Sequence, residues 1–154
     1  MAELRQMLSL LRDDSDTGST QALSYSPAHG LADLEPLVDT YRSAGLPVST
    51  GTVGDVRPLP AAADLCAYRI IQEALTNTLK HAGPSRAVVN LDYRSDALEV
   101  EVADDGAGSN GSRGGHGLVG MRERTALLGG RLEVGPAPAG GFRVRATIPY
   151  EADR

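Results

Sequence analysis

The sequence predicts an α+β domain built as a two-layer α/β sandwich, with helices on one face of a mixed or mostly antiparallel sheet. Three observations carry this. Stretches with apolar residues at helical spacing and stretches with every second residue apolar follow in the order helix, strand, helix, two strands, loop, helix, two strands. Helices and hairpins therefore alternate irregularly, unlike the strand–helix–strand repeat of a doubly wound parallel fold. Finally, 154 residues with a 41% apolar fraction suffice for one compact domain with a hydrophobic core.

Taken in order, "AELRQMLSLLRDD" has Leu4, Met7, Leu8 and Leu11 on one helical stripe. The polar, Ser-, Thr- and Gly-rich run "DSDTGSTQALSYSPAHG" reads as a linker or an irregular covering segment. "LADLEPLVDTYRSAG" is a helix closed by Gly45, followed by a short strand in "LPVSTGTV" and a turn-rich stretch to Pro60. A long helix is expected from about Ala61 to Ala82, ended by Gly83 and Pro84. In the next two strands Ala87, Val89, Leu91 and Tyr93, then Leu98, Val100 and Val102, alternate with mostly polar partners, and Ser95 and Asp96 make the turn. The glycine-rich "DDGAGSNGSRGGHG" leads to a helix expected to start immediately after Gly117, with Leu118, Met121, Thr125 and Leu128 on one stripe. A last hairpin pairs "RLEV" with "FRVRATIP", whose Phe142, Val144, Ala146 and Ile148 face one side.

Composition excludes several classes of function. The net charge of −5, with no basic run interleaved with aromatics, argues against a nucleic-acid surface. One cysteine, Cys66, excludes an internal disulfide or a multi-cysteine metal cluster and reads as a small buried helix residue in a reducing compartment. No run of eighteen apolar residues and no signal-peptide pattern occurs, so the polypeptide is expected to be soluble and cytoplasmic, with a membrane-bound parent left open.

Three constellations suggest chemistry. On the long helix Glu73, Asn77, Lys80 and His81 share a stripe roughly opposite Ile71, Leu75, Leu79 and Ala82. Such a stripe can be a solvated face; it can also serve a metal and a phosphate chain, because Mg²⁺ prefers oxygen ligands and lysine is a compact charge suited to phosphate. Lys80 is the single lysine beside fourteen arginines, and chance survival competes with a geometric need there.

In "VEVADDGAG" strand parity turns Asp104 inward with Val100 and Val102, and Asp105 outward. An inward carboxylate needs a donor, which the exocyclic amine of adenine could supply, although Asp104 could also simply cap the following turn. The loop itself places Gly106, Gly108, Gly111, Gly114, Gly115 and Gly117 within twelve residues, as a connector or a lid. The helix start beside His116 offers free N–H groups to phosphate oxygens. "GAGSNG" matches a dinucleotide fingerprint literally but does not open a helix at its third glycine, and neither a phosphate-loop lysine motif, a zinc spacing nor a serine elbow is present.

In sequence order, "EALTNTLKHA", "DDGAG" and "GGHGLVGMRER" resemble the three signature boxes of the ATPase superfamily shared by gyrase, heat-shock chaperones, histidine kinases and mismatch-repair ATPases. With "GGFRVRATIP", they are similar to the catalytic domain of nitrate-sensor-like bacterial sensor histidine kinases, over roughly Leu31 to Tyr150. The resemblance implies a Bergerat-type sandwich with ATP between the Glu73–His81 helix and the lid. It implies Asn77 on Mg²⁺, Lys80 and His81 near the phosphates, and Glu73 as polar positioner or water-activating acid. It further implies Asp104 on the adenine amine, Gly106 and Gly108 admitting the base, and Gly115, His116, Gly117 and Leu118 as the lid's hinge.

The superfamily's frequent Gly-Gly-Thr is replaced here by Gly140, Gly141 and Phe142, which puts a threonine hydrogen bond to adenine in doubt. None of His29, His81 and His116 has the setting of a phosphoacceptor histidine. The implied organisation is residues 1–13 as the end of a dimerisation helix, 14–30 as linker, 31–151 as ATP-binding catalytic domain and 152–154 as tail. This catalytic part would bind Mg-ATP and supply the γ-phosphoryl to a histidine on a separate dimerisation domain of a homodimeric parent, which then signals to a response regulator. An anti-sigma-type serine kinase of the same superfamily and a non-catalytic interaction module are the alternatives; the leading helix and "GMRER" favour the sensor kinase, and intact Asn77, Lys80 and Asp104 speak against the module.

Overall fold

A computed structural model describes residues 29–81, 83, 85–106, 115–138 and 140–150, without the side chains of Gly115 and His116. The expected leading helix, most of the linker, Gly108 with the centre of the glycine-rich loop, and the tail lie outside them. A 3₁₀ turn, Leu31–Asp33, leads into α1 (Leu34–Ser43), then come β1 (Val48–Gly54), α2 (Ala61–His81), β2 (Ala87–Tyr93) and β3 (Ala97–Asp104). After the glycine-rich loop follow α3 (Gly115–Leu127), β4 (Arg131–Pro136) and β5 (Phe142–Pro149).

The strands form one sheet in the order β1-β2-β3-β5-β4. β1 runs parallel to β2, with α2 as the connection between them, and the other neighbours are antiparallel, so the expected mixed sheet is present. Alternation decides its two faces. Val89, Leu91, Val100, Val102, Val144, Ala146 and Ile148 are buried in the core shared with the helices. Their sequence neighbours carry charge: Arg94 meets Glu99 at 2.7 Å, Arg145 also meets Glu99, and Arg143 reaches Glu101 at 4.0 Å. Register puts Glu101 directly opposite Arg145, so the outer face is a ladder of cross-strand ion pairs.

α2 is the centre of the helical layer, and neighbours flank it on both sides. Its Ile71 and Leu75 are fully buried against the sheet. On one side Tyr41 of α1 donates its hydroxyl to Gln72 O at 2.9 Å, which leaves the Thr76 hydroxyl as donor in the 2.6 Å contact between the two. On the other side Thr125 of α3 approaches Cys66, with Oγ1 at 3.9 Å from Sγ. Leu118, Met121 and Thr125 are buried as their stripe predicts. At the end of α1 the chain turns at Gly45, whose φ of +101° suits glycine. The N–H of Leu46 then reaches back to Tyr41 O at 3.0 Å.

Two boundaries differ from expectation. α3 begins at Gly115, three residues before the expected start at Leu118, so Gly117 lies inside its first turn. β4 runs two residues past "RLEV" to Pro136. The chain is also packed before Leu31: His29, expected in the linker, stacks on Tyr68 with ring centroids 4.9 Å apart.

Burial pushes the Tyr41 phenol up from its ordinary value of 10.0, only partly offset by the Thr76 hydrogen bond. The folded phenol then holds its proton more tightly than the unfolded one, so stability present below pH 10 is lost as pH rises above it. Tyr41→Phe should lower the unfolding free energy at neutral pH by about 1 to 2 kcal/mol in urea titrations. It should also make the alkaline decline shallower. Some decline should remain, because burial raises the Tyr93 phenol as well.

Candidate functional site

The site is built where three chain segments meet: the C-terminal half of α2, the end of β3 and the first turn of α3. Strand parity delivers Asp104. It is the last residue of β3, follows Val100 and Val102 on the inner face, and is 5% exposed. Its carboxylate accepts from two known donors: Gly106 N at 2.9 Å from Oδ1, and the Thr78 hydroxyl of α2 at 3.2 Å from Oδ2. Asp105, one residue on, is exposed and accepts from Arg86 N at 2.7 Å. The two adjacent aspartates are thus sorted as alternation requires. The turn-capping role and the inward role of Asp104 are both present in one side chain.

Gly141 closes the same corner. Its φ is +88°, and a Cβ there would collide with the backbone carbonyl oxygen of Asp104 and come within 3.0 Å of Oδ1. Glycine is required here for two reasons, a backbone conformation that L side chains rarely adopt and the approach of the β5 start to β3. Phe142, in place of a threonine, is 7% exposed and belongs to the core.

The four polar residues of α2 do not form one solvated stripe. Lys80 and His81 are exposed and Glu73 is half-buried, whereas Asn77 is 6% exposed. Packing on both sides of α2 explains the split, since a helix flanked by α1 and α3 has little of its circumference left for water. Asn77 Nδ2 is buried without a hydrogen-bond partner among the described residues. An unpaired buried amide costs about 1 to 3 kcal/mol, so it marks a place where an oxygen-bearing ligand would be stabilised.

Glu73, one turn before Asn77, reaches α3. A Cβ on Gly117 would collide with Glu73 Oε1, so the absence of a side chain at Gly117 lets the carboxylate lie against the first turn of that helix. A carboxylate is favoured there by the free N–H groups and the positive dipole end. Glu73 touching Gly117 and Thr78 touching Asp104 therefore bracket Asn77 along about 7.5 Å of α2 axis. Gly115, His116 and Gly117 are in the helical first turn, and Leu118 is buried in the core, which leaves only its backbone to face a ligand. Gly106 N is already engaged by Asp104.

The sequence reading does not single out Thr78, and it names Gly141 only as part of the altered Gly-Gly-Thr motif. A signal for Thr78 existed: it follows Ile71 by seven residues and Ala74 by four, which puts it on the sheet-facing side of α2.

The described residues thus bring a buried acid at a strand end, a buried amide on the facing helix and a glycine-opened helix start into one region. Residues 63–152, more than half of the chain, match the family of histidine kinase-, DNA gyrase B- and HSP90-like ATPases. The chain belongs to this family, as an ATP-binding catalytic domain of the histidine-kinase type. It is 34% identical over 122 residues to the sensor histidine kinase YxjM of Bacillus subtilis, covering 78% of this chain and 30% of that protein. It is 32% identical over 124 residues to the signal transduction histidine-protein kinase/phosphatase DegS of Brevibacillus brevis, covering 78% of this chain and 32% of that protein. The chain thus spans about a third of the length of these relatives. The ATP-binding domain of PrrB from Mycobacterium tuberculosis shares the fold at a TM-score of 0.58 and 21% identity, over 80% of this chain and 96% of that one. The histidine kinase domain of the blue-light activated kinase from Erythrobacter litoralis EL346 does so at 0.57 and 22%, over 97% and 74%. No helix among the described residues is long and apolar enough to cross a membrane.

Gly141→Ala should lower the unfolding free energy by about 2 kcal/mol or more, the cost of a strained φ plus a collision. Gly140→Ala is the control, because Gly140 has φ +94° but nothing within 4 Å of a Cβ. Chemical unfolding of both variants should rank Gly141→Ala clearly lower.

Proposed function

We propose that this domain holds Mg-ATP and presents its γ-phosphoryl to a histidine carried on a separate dimerisation domain of a homodimeric sensor kinase, from which it passes to the aspartate of a response regulator. The observation that carries the reading is the buried, unpartnered amide of Asn77 between the Asp104 corner and the Glu73–Gly117 contact. In this reading Asp104 accepts the 6-amino group of adenine. Gly106, with Gly108 beyond it, admits the base edge.

The donor set fits the metal the family implies. The Asn77 side-chain oxygen is a hard ligand, and its orphaned nitrogen can donate to a phosphate oxygen. Among the described residues no three His, Cys, Asp or Glu side chains gather around a metal position. A Mg²⁺ held by Asn77 would then complete its shell with phosphate oxygens and water, as this ion prefers. When bound, it would neutralise charge on the transferring phosphoryl group.

The remaining work is positioning. Lys80 and His81, both exposed at the end of α2, have the reach to meet the anionic tail. The first turn of α3, from Gly115 to Leu118, offers backbone N–H groups to phosphate oxygens and hinges the lid. Glu73, whose carboxylate lies against Gly117 in that turn, is placed to orient water or the incoming acceptor. Because phosphoryl transfer asks mainly for alignment and charge stabilisation, these contacts supply what the reaction needs from this domain. None of the three histidines sits in a phosphoacceptor setting, so this chain by itself should take up no labelled phosphate.

The test is a calorimetric titration with a non-hydrolysable ATP analogue, with and without Mg²⁺. Wild-type protein should bind more tightly with the ion, and Asn77→Ala should remove that difference. Asp104→Asn puts an N–H donor where the amine needs an acceptor, and should weaken binding about tenfold to a hundredfold, the worth of a hydrogen bond to a charged group. Binding indifferent to both substitutions would refute the proposal.

A further inference from the structure

The Asp104 corner contains a hydroxyl in an unexpected place. The strand position at which the superfamily often has threonine is Phe142, a core residue with no hydroxyl to offer. On the opposite side of the carboxylate stands Thr78 of α2, 3% exposed. Its hydroxyl lies 3.0 Å from Ala74 O and 3.2 Å from Asp104 Oδ2. One hydroxyl carries one hydrogen, so Thr78 divides its donation between the backbone of its own helix and the carboxylate. The other oxygen of Asp104 is held by Gly106 N.

We propose that Thr78 is the positioning residue that orients Asp104 for a 6-aminopurine, and that it thereby sets the preference for adenine over purines lacking the amine. This inference rests on the nucleotide reading given above. A carboxylate grips an exocyclic amine selectively only if it is held facing the base, because a free side chain can rotate about its last torsion and turn the gain of one hydrogen bond into a loss of rotamer freedom. Gly106 N fixes Oδ1 from the strand's own turn, and Thr78 fixes Oδ2 from the facing helix. Valine at this position keeps the shape and removes the donor.

The experiment compares ATP with purine riboside triphosphate, which lacks only the 6-amino group, in competition binding to the 154-residue chain with Mg²⁺. Thr78→Val should lose about tenfold in ATP affinity, ~1.4 kcal/mol. Its affinity for the amine-free nucleotide should stay within about twofold of wild type, because a donor acting through Asp104 couples only to the amine. Thr78→Ser, which keeps the hydroxyl, should restore the preference. If Thr78→Val does not fold, Thr78→Ala is read in the same way. Equal losses for both nucleotides, or no loss for either, would overturn the assignment of Thr78 while leaving ATP binding intact. Wild-type protein that binds neither nucleotide, or both equally, would overturn the base reading at Asp104 and this inference with it.

Discussion

A carboxylate turned toward the apolar side of a sheet is costly unless donors meet it, and in this protein the donors for Asp104 come from two different layers. Thr78 reaches it from α2 and Gly106 from the turn after β3, so one side chain ties the helical layer to the sheet. The start of β5 conforms to the same corner, since Gly141 can lie against the Asp104 backbone only without a side chain. Three segments distant in sequence, α2, the end of β3 with its turn and the start of β5, thereby meet at one polar group. This is the arrangement a binding site needs: a directional acceptor whose orientation is set by a helix and a strand packed on each other.

α2 extends this logic along its length. Tyr41 engages Gln72 and Thr76 from one side, Thr125 meets Cys66 from the other, Glu73 rests on Gly117 and Thr78 on Asp104. Cys66, Thr76 and Thr78 are therefore met by groups from other elements, whereas among the described residues the Asn77 amide nitrogen has no hydrogen-bond partner. Proteins satisfy nearly all buried polar groups, so the exception falls where function is expected. The outer face of the sheet is independent of this. Its ladder of Glu99, Glu101, Arg94, Arg143 and Arg145 covers strands that the helices leave open, with Glu99 largely covered between its two arginine partners.

Much of this was legible in the sequence, because alternation by two is a sharp signal. Leu98, Val100 and Val102 assigned the faces of β3, and the same parity separated Asp104 from Asp105 before any coordinates. The long helix and the glycine stops at Gly45 and Gly83 followed from periodicity and backbone preference. Three things did not follow. The insertion of β5 between β3 and β4 depends on pairing between distant residues, which no local pattern encodes. Glycine reads as loop, so the sequence sets the start of α3 late, although Gly115 and Gly117 are helical and the close approach of Glu73 asks for a missing side chain at Gly117. The burial of Asn77 depends on α1 and α3 closing around α2, and a helical wheel for one helix shows only one of its sides.

The central claim is spatial: a single corner made by Asp104, Thr78 and Gly141 receives the base, while Asn77 one step along α2 receives the metal and phosphate end. A crystal structure of the chain with Mg²⁺ and a non-hydrolysable ATP analogue tests it most directly. The account requires the 6-amino nitrogen within hydrogen-bond distance of an Asp104 carboxylate oxygen and the Asn77 amide at the metal–phosphate end of the same molecule. A nucleotide seated elsewhere, or bound with Asp104 and Asn77 both out of contact with it, would contradict the account.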